Sequence, residues 1–111
     1  MTSAQTDRFV HDRLPPPGQW PELRFDTPEL QAIPAQVNLV QALFDQAFAR
    51  GHAERPFLRS DARTLSYAQA REQVNRIANL LVREHGLVPG NRVLLRGGNS
   101  VAMALAWLAV V

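Results

Sequence analysis

Hydrophobic residues recur at helical spacing in two parts of the chain. In the first part the apolar positions form one stripe, which consists of Leu39, Val40, Leu43, Phe44, Ala47 and Phe48. Asn38 precedes the stripe as an N-cap residue would, with Gln41 at position N3. Gly51 follows the stripe, where a glycine commonly ends a helix. The pattern therefore predicts a helix between Asn38 and Gly51.

The second part has a clearer polar face. Its apolar positions are Ala70, Val74, Ile77, Ala78 and Leu81, and its polar positions are Arg71, Glu72, Asn75, Arg76, Asn79 and Arg83. Ser66 and Gln69 form a capping-box pattern at the start, and Gly86 suits a left-handed cap at the end. Glu72 and Arg76 are an i,i+4 pair in the favourable order. We expect a long amphipathic helix here.

Short apolar runs predict strands around these helices. Residues 57–59 and 64–66 are strand candidates, and the turn-forming residues 60–63 between them predict a β-hairpin. Pro89-Gly90 is typical of a turn, and we expect the apolar run that follows, Arg92 to Leu95, to be a buried strand.

The last eleven residues, Val101 to Val111, are all apolar. They predict a helix capped by Asn99 or Ser100, buried on all sides, with Trp107 in the core. The run is shorter than the roughly 20 residues that cross a bilayer, although a membrane helix that continues past Val111 stays open. Because an apolar, uncapped end is unusual, we expect the sequence to be the opening piece of a longer protein.

The element order is helix, β-hairpin, helix, strand, helix, which predicts an α/β fold. Residues 1–36 differ from the rest, because six of the eight prolines lie there and the formal charge of the segment is −2. We expect an extended, proline-rich N-terminal arm. Its possible anchors on the body of residues 37–111 are Phe9, Leu14, Trp20, Leu23 and Phe25.

Composition narrows the function classes. All twelve basic residues are Arg, and the net charge is only +2, which is a weak signal for nucleic acid or a membrane surface. The absence of Cys excludes disulfides, thiolate metal sites and Cys nucleophiles within these 111 residues. It also fits a reducing compartment, and no secretory signal begins the chain, so we expect a cytoplasmic protein.

The chain offers few candidates for chemistry. Gly97-Gly98 stands before a predicted helix, where backbone amides can cradle a phosphate, but the sequence has neither a P-loop lysine nor dinucleotide-binding spacing. A tight turn is the simpler interpretation. His11, His52 and His85 have no second ligand at metal spacing, and the carboxylates are scattered. We therefore predict no catalytic, cofactor-binding or metal-binding residue in this segment.

From residue 63 onward the sequence resembles the N-terminal region of the AMP-forming acyl-CoA synthetase (adenylate-forming, AMP-binding) superfamily. The resemblance is carried by Arg63–Gln69 (RTLSYAQ), Val74–Leu81 (VNRIANLL), Gly86–Leu95 (GLVPGNRVLL), Asn99-Ser100 and Ala106–Val110 (AWLAV). Leu14–Leu23 (LPPPGQWPEL) is similar to the subgroup that activates benzoate and 2-aminobenzoate. Asn91 stands where Asp is usual and Gln69-Ala70 where Glu-Leu is usual, and we interpret both departures as neutral.

The resemblance implies that residues 37–111 are the first, truncated part of the large domain of an adenylate-forming enzyme. It implies an ATP-dependent carboxylic acid–CoA ligase, acting on an aromatic acid, that uses ATP, Mg²⁺ and CoA and forms an acyl-adenylate and then a thioester. A homodimer is a possible assembly, with no nucleic-acid or membrane partner. The family's phosphate loop and catalytic lysine have no counterpart here, so we expect residues 1–111 alone to be inactive. We also expect them to fold poorly, because one strand cannot form the sheet that covers two helix faces.

Two other interpretations stay open. The first is an adenylation domain that transfers its acyl group to a carrier protein, and the second is a non-enzymatic α/β interaction module.

Overall fold

The computed structural model describes residues 4–111, so residues 1–3 of the predicted arm lie outside it. The described chain divides into two units. One comprises residues 4–37 and 88–91, and the other comprises residues 38–87 and 92–111. Because the units are distinct, each is described by itself.

The first unit is proline-rich and contains only short helical turns. Its regular elements are two 3₁₀ turns, His11–Arg13 and Pro17–Gln19, and one short helix, α1 (Pro28–Gln31). Thr27 caps α1 by accepting a hydrogen bond from the Leu30 amide, and Pro28 occupies the first turn, where its missing N–H costs nothing. The arm is therefore less uniformly extended than the sequence predicts.

The arm's apolar side chains are exposed rather than buried. The exposed fractions of the five predicted anchors lie between 44% for Phe9 and Leu14 and 71% for Leu23. Trp20 donates its indole N–H to the carbonyl of Pro15, so its polar group is satisfied within the arm itself.

The second unit contains three helices and one hairpin: α2 (Leu39–Ala49), β1 (Pro56–Arg59), β2 (Thr64–Ser66), α3 (Tyr67–Arg83) and α4 (Val101–Val110). The two strands pair in antiparallel register, with Arg59 opposite Thr64, and Ser60 and Arg63 close the turn between them by backbone and side-chain hydrogen bonds. The predicted helices and hairpin are thus confirmed to within a residue or two.

The predicted helix ends are also confirmed. Asn38 caps α2 through the Gln41 amide, and Ser66 and Gln69 exchange both hydrogen bonds of a capping box at α3. Gly51 and Gly86 have φ angles of 71° and 63°, values that suit glycine. Ser100, rather than Asn99, caps α4 by accepting a hydrogen bond from the Met103 amide.

The core of this unit lies among α2, α3, α4 and β2. Its buried members are Val40, Phe44, Leu65, Ala70, Val74, Val101, Leu105 and Leu108. Phe57 joins them from β1, with its ring 5.7 Å from that of Phe44 and 4.5 Å from that of Tyr67, centroid to centroid. Helix α3 contacts the other four elements, so its apolar face is the common surface of the unit.

The predicted strand at residues 92–95 is wrong for this structure. These residues have no regular secondary structure, and Leu94 is 90% exposed. A strand needs a hydrogen-bonded neighbour, and within residues 4–111 the only paired strands are β1 and β2. Val93 and Leu95 are half-buried, and their neighbours Arg92, Leu94 and Arg96 are exposed. Burial therefore alternates along this segment as it would in a strand, although the segment is not hydrogen-bonded to another strand.

The prediction that α4 is buried on all sides is also wrong. One face, formed by Val101, Leu105 and Leu108, is buried, whereas Trp107 is 52% exposed. An all-apolar sequence has no polar face to mark the outside, so periodicity could not indicate which residues point away from the core.

The buried face of α2 makes a prediction about stability. Replacing Phe44, which is 2% exposed, by Ala should lower the free energy of unfolding by about 3 kcal/mol, because it removes a buried ring and leaves a cavity. Leu43→Ala is the matched control, since Leu43 is 37% exposed and should cost less than about 1 kcal/mol. Urea unfolding followed by circular dichroism measures both, and equal losses would contradict the assignment of the core.

The cap of α4 makes a second prediction. Ser100→Ala should lower the free energy of unfolding by about 1 kcal/mol, because the Met103 amide loses its acceptor at the helix start. Asn99→Ala, one residue earlier, should change it by less than about 0.5 kcal/mol. Urea unfolding measures the free energy of unfolding of both variants. A larger decrease in the Asn99 variant than in the Ser100 variant would mean that the cap is misassigned.

Candidate functional site

The glycine-rich turn before α4 is built as a turn and a helix cap. Neither Gly97 nor Gly98 has a positive φ angle. A Cβ on Gly97 would lie 2.7 Å from the terminal carbon of Met103, whereas one on Gly98 would meet no atom within 4 Å. Ser100 already accepts from one of the free amides at the helix start. The local geometry therefore supports the structural interpretation of this motif.

The surface around this turn has little that would recognise a nucleotide. A shallow depression there is lined by Leu94, Leu95, Arg96, Gly97, Gly98, Ser100, Ala102, Met103 and Ala106. Arg96 is the sole ionisable side chain among these lining residues. An isolated arginine beside apolar groups offers one cation for a phosphate but no acidic group for a metal ion.

A second depression lies between α2, α3 and α4. Its volume is about 280 Å³, at the lower end of the ~300–1,000 Å³ typical of ligand pockets. Its charged lining is Asp45 and Arg71, whose carboxylate and guanidinium are 3.7 Å apart, and the same guanidinium lies 4.6 Å from the centre of the Phe48 ring. Because these charges already have partners, the depression is a groove between helices rather than a prepared site.

The histidines are placed on separate elements. His11 is in the first 3₁₀ turn, with Nδ1 3.2 Å from an Arg8 nitrogen, and His52 and His85 follow the ends of α2 and α3. Within residues 4–111 no three His, Asp or Glu side chains lie close enough together to hold a metal ion. His11 Nδ1 lies 3.8 Å from Asp12 Oδ1, a contact that joins only two such side chains.

Ser60, Ser66 and Ser100 have structural partners, as their turn and cap positions in the sequence predict. Ser60 Oγ bonds both the amide and the carbonyl of Arg63, while Ser66 and Ser100 cap helices. Their hydroxyls therefore form hydrogen bonds with the backbone, and none of the three is hydrogen-bonded to a histidine within residues 4–111.

One side-chain contact escaped the sequence reasoning altogether. Asn91 Nδ2 donates a 2.8 Å hydrogen bond to Asp7 Oδ2, across 84 residues of chain. No periodicity or motif links these positions, and Asn91 is the residue that the sequence led us to regard as neutral. A pair of this kind would be visible beforehand only as correlated substitution.

No helix within the described part of the chain is long and apolar enough to cross a membrane.

Comparison with known proteins assigns residues 44–111 to a family. The model of a family described as AMP-binding enzyme matches residues 44–111. The chain is 42% identical to a 3-oxocholest-4-en-26-oate–CoA ligase of Rhodococcus rhodochrous over 57 residues, which are 51% of this chain and 10% of that protein. It is 36% identical to a very long-chain fatty acid transport protein of Cochliobolus heterostrophus over 76 residues, which are 68% of this chain and 12% of that protein.

No solved structure matches the chain. The aligned segment spans about a tenth of the length of the two curated relatives. The family model nevertheless covers more than half of the chain, from the middle of α2 through the hairpin, α3 and α4. The chain therefore belongs to the AMP-binding enzyme family.

Proposed function

We propose that this chain is one segment of an ATP-dependent carboxylic acid–CoA ligase, in which residues 37–111 are scaffold. The observation that carries the proposal is the family match over residues 44–111, supported by a relative whose name is that of a CoA ligase. The family and this relative imply ATP, Mg²⁺, CoA and a small acid as reactants.

The reaction proposed for the whole enzyme has two steps. A carboxylate oxygen of the substrate attacks the α-phosphorus of ATP, forming an acyl-adenylate as the bond to pyrophosphate breaks. The thiol of CoA then attacks the acyl carbon, a thioester forms, and AMP leaves. Activation of this kind turns a poor electrophile into a good one, because AMP is a far better leaving group than oxide.

We infer that residues 4–111 contribute no complete site for the reactants. They hold no cluster of metal ligands, and the chain has no Lys that could contact a phosphate as a cation. The contribution of this segment is therefore structural. Its hairpin, α2, α3 and α4 form a packed layer on which other parts of such an enzyme would rest.

We also propose which kind of carboxylic acid the enzyme activates. The similarity of Leu14–Leu23 to the benzoate and 2-aminobenzoate subgroup supports an aromatic acid. The names of the two relatives, a steroid-acid CoA ligase and a very long-chain fatty acid transport protein, favour a larger hydrophobic acid as the second candidate.

The activity is tested by ATP–pyrophosphate exchange. A protein that contains this chain together with the remainder of such a ligase should catalyse exchange only with Mg²⁺ and its own acid. Benzoate, 2-aminobenzoate, a steroid carboxylate and a long-chain fatty acid form the substrate panel. Residues 1–111 alone should give the background rate with every acid, because they contain no reactant site. Exchange by the isolated chain would refute the scaffold role, and no exchange by the longer protein would refute the ligase assignment.

The scaffold role has its own test in the longer protein. Phe44→Ala should reduce the yield of folded enzyme and its melting temperature, while kcat and KM of the folded fraction change less than about twofold, because Phe44 packs in the core rather than near a reactant. Glu72→Gln, which removes one partner of the exposed Arg76 pair, is the control and should alter neither. A large loss of kcat with unchanged stability would place α2 at the reaction site instead.

A further inference from the structure

The first unit is held together by contacts between the start of the arm and the turn at residues 88–91. The backbone amides of Thr6 and Asp7 both donate to the carbonyl of Pro89, at 2.8 and 2.9 Å. Asn91 Nδ2 reaches Asp7 Oδ2 at 2.8 Å. Three hydrogen bonds therefore join positions that are more than 80 residues apart in sequence.

The side-chain polar atoms of Asp7 and Asn91 each have a hydrogen-bond partner of the complementary type. Asp7 Oδ1 accepts a 2.9 Å bond from the Phe9 amide, so its other oxygen faces Asn91. Asn91 Oδ1 accepts a 3.0 Å bond from the Val88 amide, which fixes the orientation of its side-chain amide. The side-chain amide of Asn91 thus accepts from Val88 and donates to a carboxylate at once, whereas an ionised Asp at position 91 could only accept.

Gly90 brings the two segments within reach of each other. Its φ angle is 99°, and a Cβ at this position would overlap the carbonyl oxygen of Asp7. The absence of a side chain is therefore what allows the arm to lie directly on the turn.

We propose that Asp7 and Asn91 form a matched latch that holds the arm on the 88–91 turn, and that the complementarity of these two side chains sets whether the arm is attached. This inference does not depend on the ligase activity. It assigns a role to Asn91, a position that looked neutral in sequence, and to Asp7, which no motif had marked.

The chemistry of the pair allows an exchange test. Asn91→Asp alone would place two carboxylates against each other, and Asp7→Asn alone would place two amide donors against each other. The double variant Asp7→Asn/Asn91→Asp restores one donor facing one acceptor. It also keeps an acceptor oxygen for the Phe9 amide and another for the Val88 amide. Both single variants should therefore open the latch, and the double variant should close it.

The readout is hydrogen exchange at the Thr6 amide, measured by NMR on the full chain and corrected for intrinsic rates. Each single variant should speed exchange by about tenfold, and the double variant should return it to within about twofold of the wild type. Amides of α3 and of its C-cap residue Glu84, whose N–H bonds the Leu80 carbonyl, serve as the control and should not change, because they lie in the other unit.

Four results would overturn the proposal. A wild-type Thr6 amide that exchanges at the random-coil rate would mean that no latch forms. Unchanged exchange in Asn91→Asp would mean that the pair is not what holds the arm. A double variant as fast as the single ones would mean that complementarity is not the cause. If the α3 amides accelerate as much as Thr6, the effect is global unfolding, and the claim of a local latch fails as well.

Discussion

The burial of one face of α3 is the constraint on which the second unit depends. Ala70 is completely buried and Val74 is 4% exposed, and the helix that carries them contacts α2, α4 and both strands. The buried face includes Ala70, a residue with a small side chain, and the capping box at Ser66 fixes where the helix starts relative to the hairpin. The hairpin and the three helices thus share a single apolar surface, which α3 provides.

Local chemistry made much of this unit predictable. The helix ends depend on residues that lie within a few positions of one another, so they can be predicted from short stretches of sequence. Examples are the caps at Asn38 and Ser66 and the positive φ angles of Gly51 and Gly86. The same is true of the hairpin, whose turn is closed by Ser60 and Arg63. Elements whose signals are local were located to within one or two residues.

What could not be predicted depends on distant partners. Residues 92–95 carry a strand pattern, but pattern alone supplies no neighbouring strand. Trp107 looked like a core residue because α4 has no polar face, and only packing decides which side of such a helix is covered. The same contrast between local and distant signals holds for the candidate functional residues. Ser100 was recognisable as a cap from its position, whereas the contact of Asp7 with Asn91 has no local sequence signal. The family itself was recognisable, because the segments that carry the resemblance are short and contiguous in the sequence.

The two tryptophans, placed one in each unit, give the protein a built-in pair of optical reporters. Trp20 lies in the proline-rich arm and Trp107 on the outer face of α4, and each is about half exposed. There is no third tryptophan in the sequence to obscure them. Replacing either one by phenylalanine leaves a chain whose indole fluorescence comes from a single unit. The emission wavelength and the accessibility to a quencher such as iodide can then be followed for the arm and for the helical unit separately, in the same solution conditions.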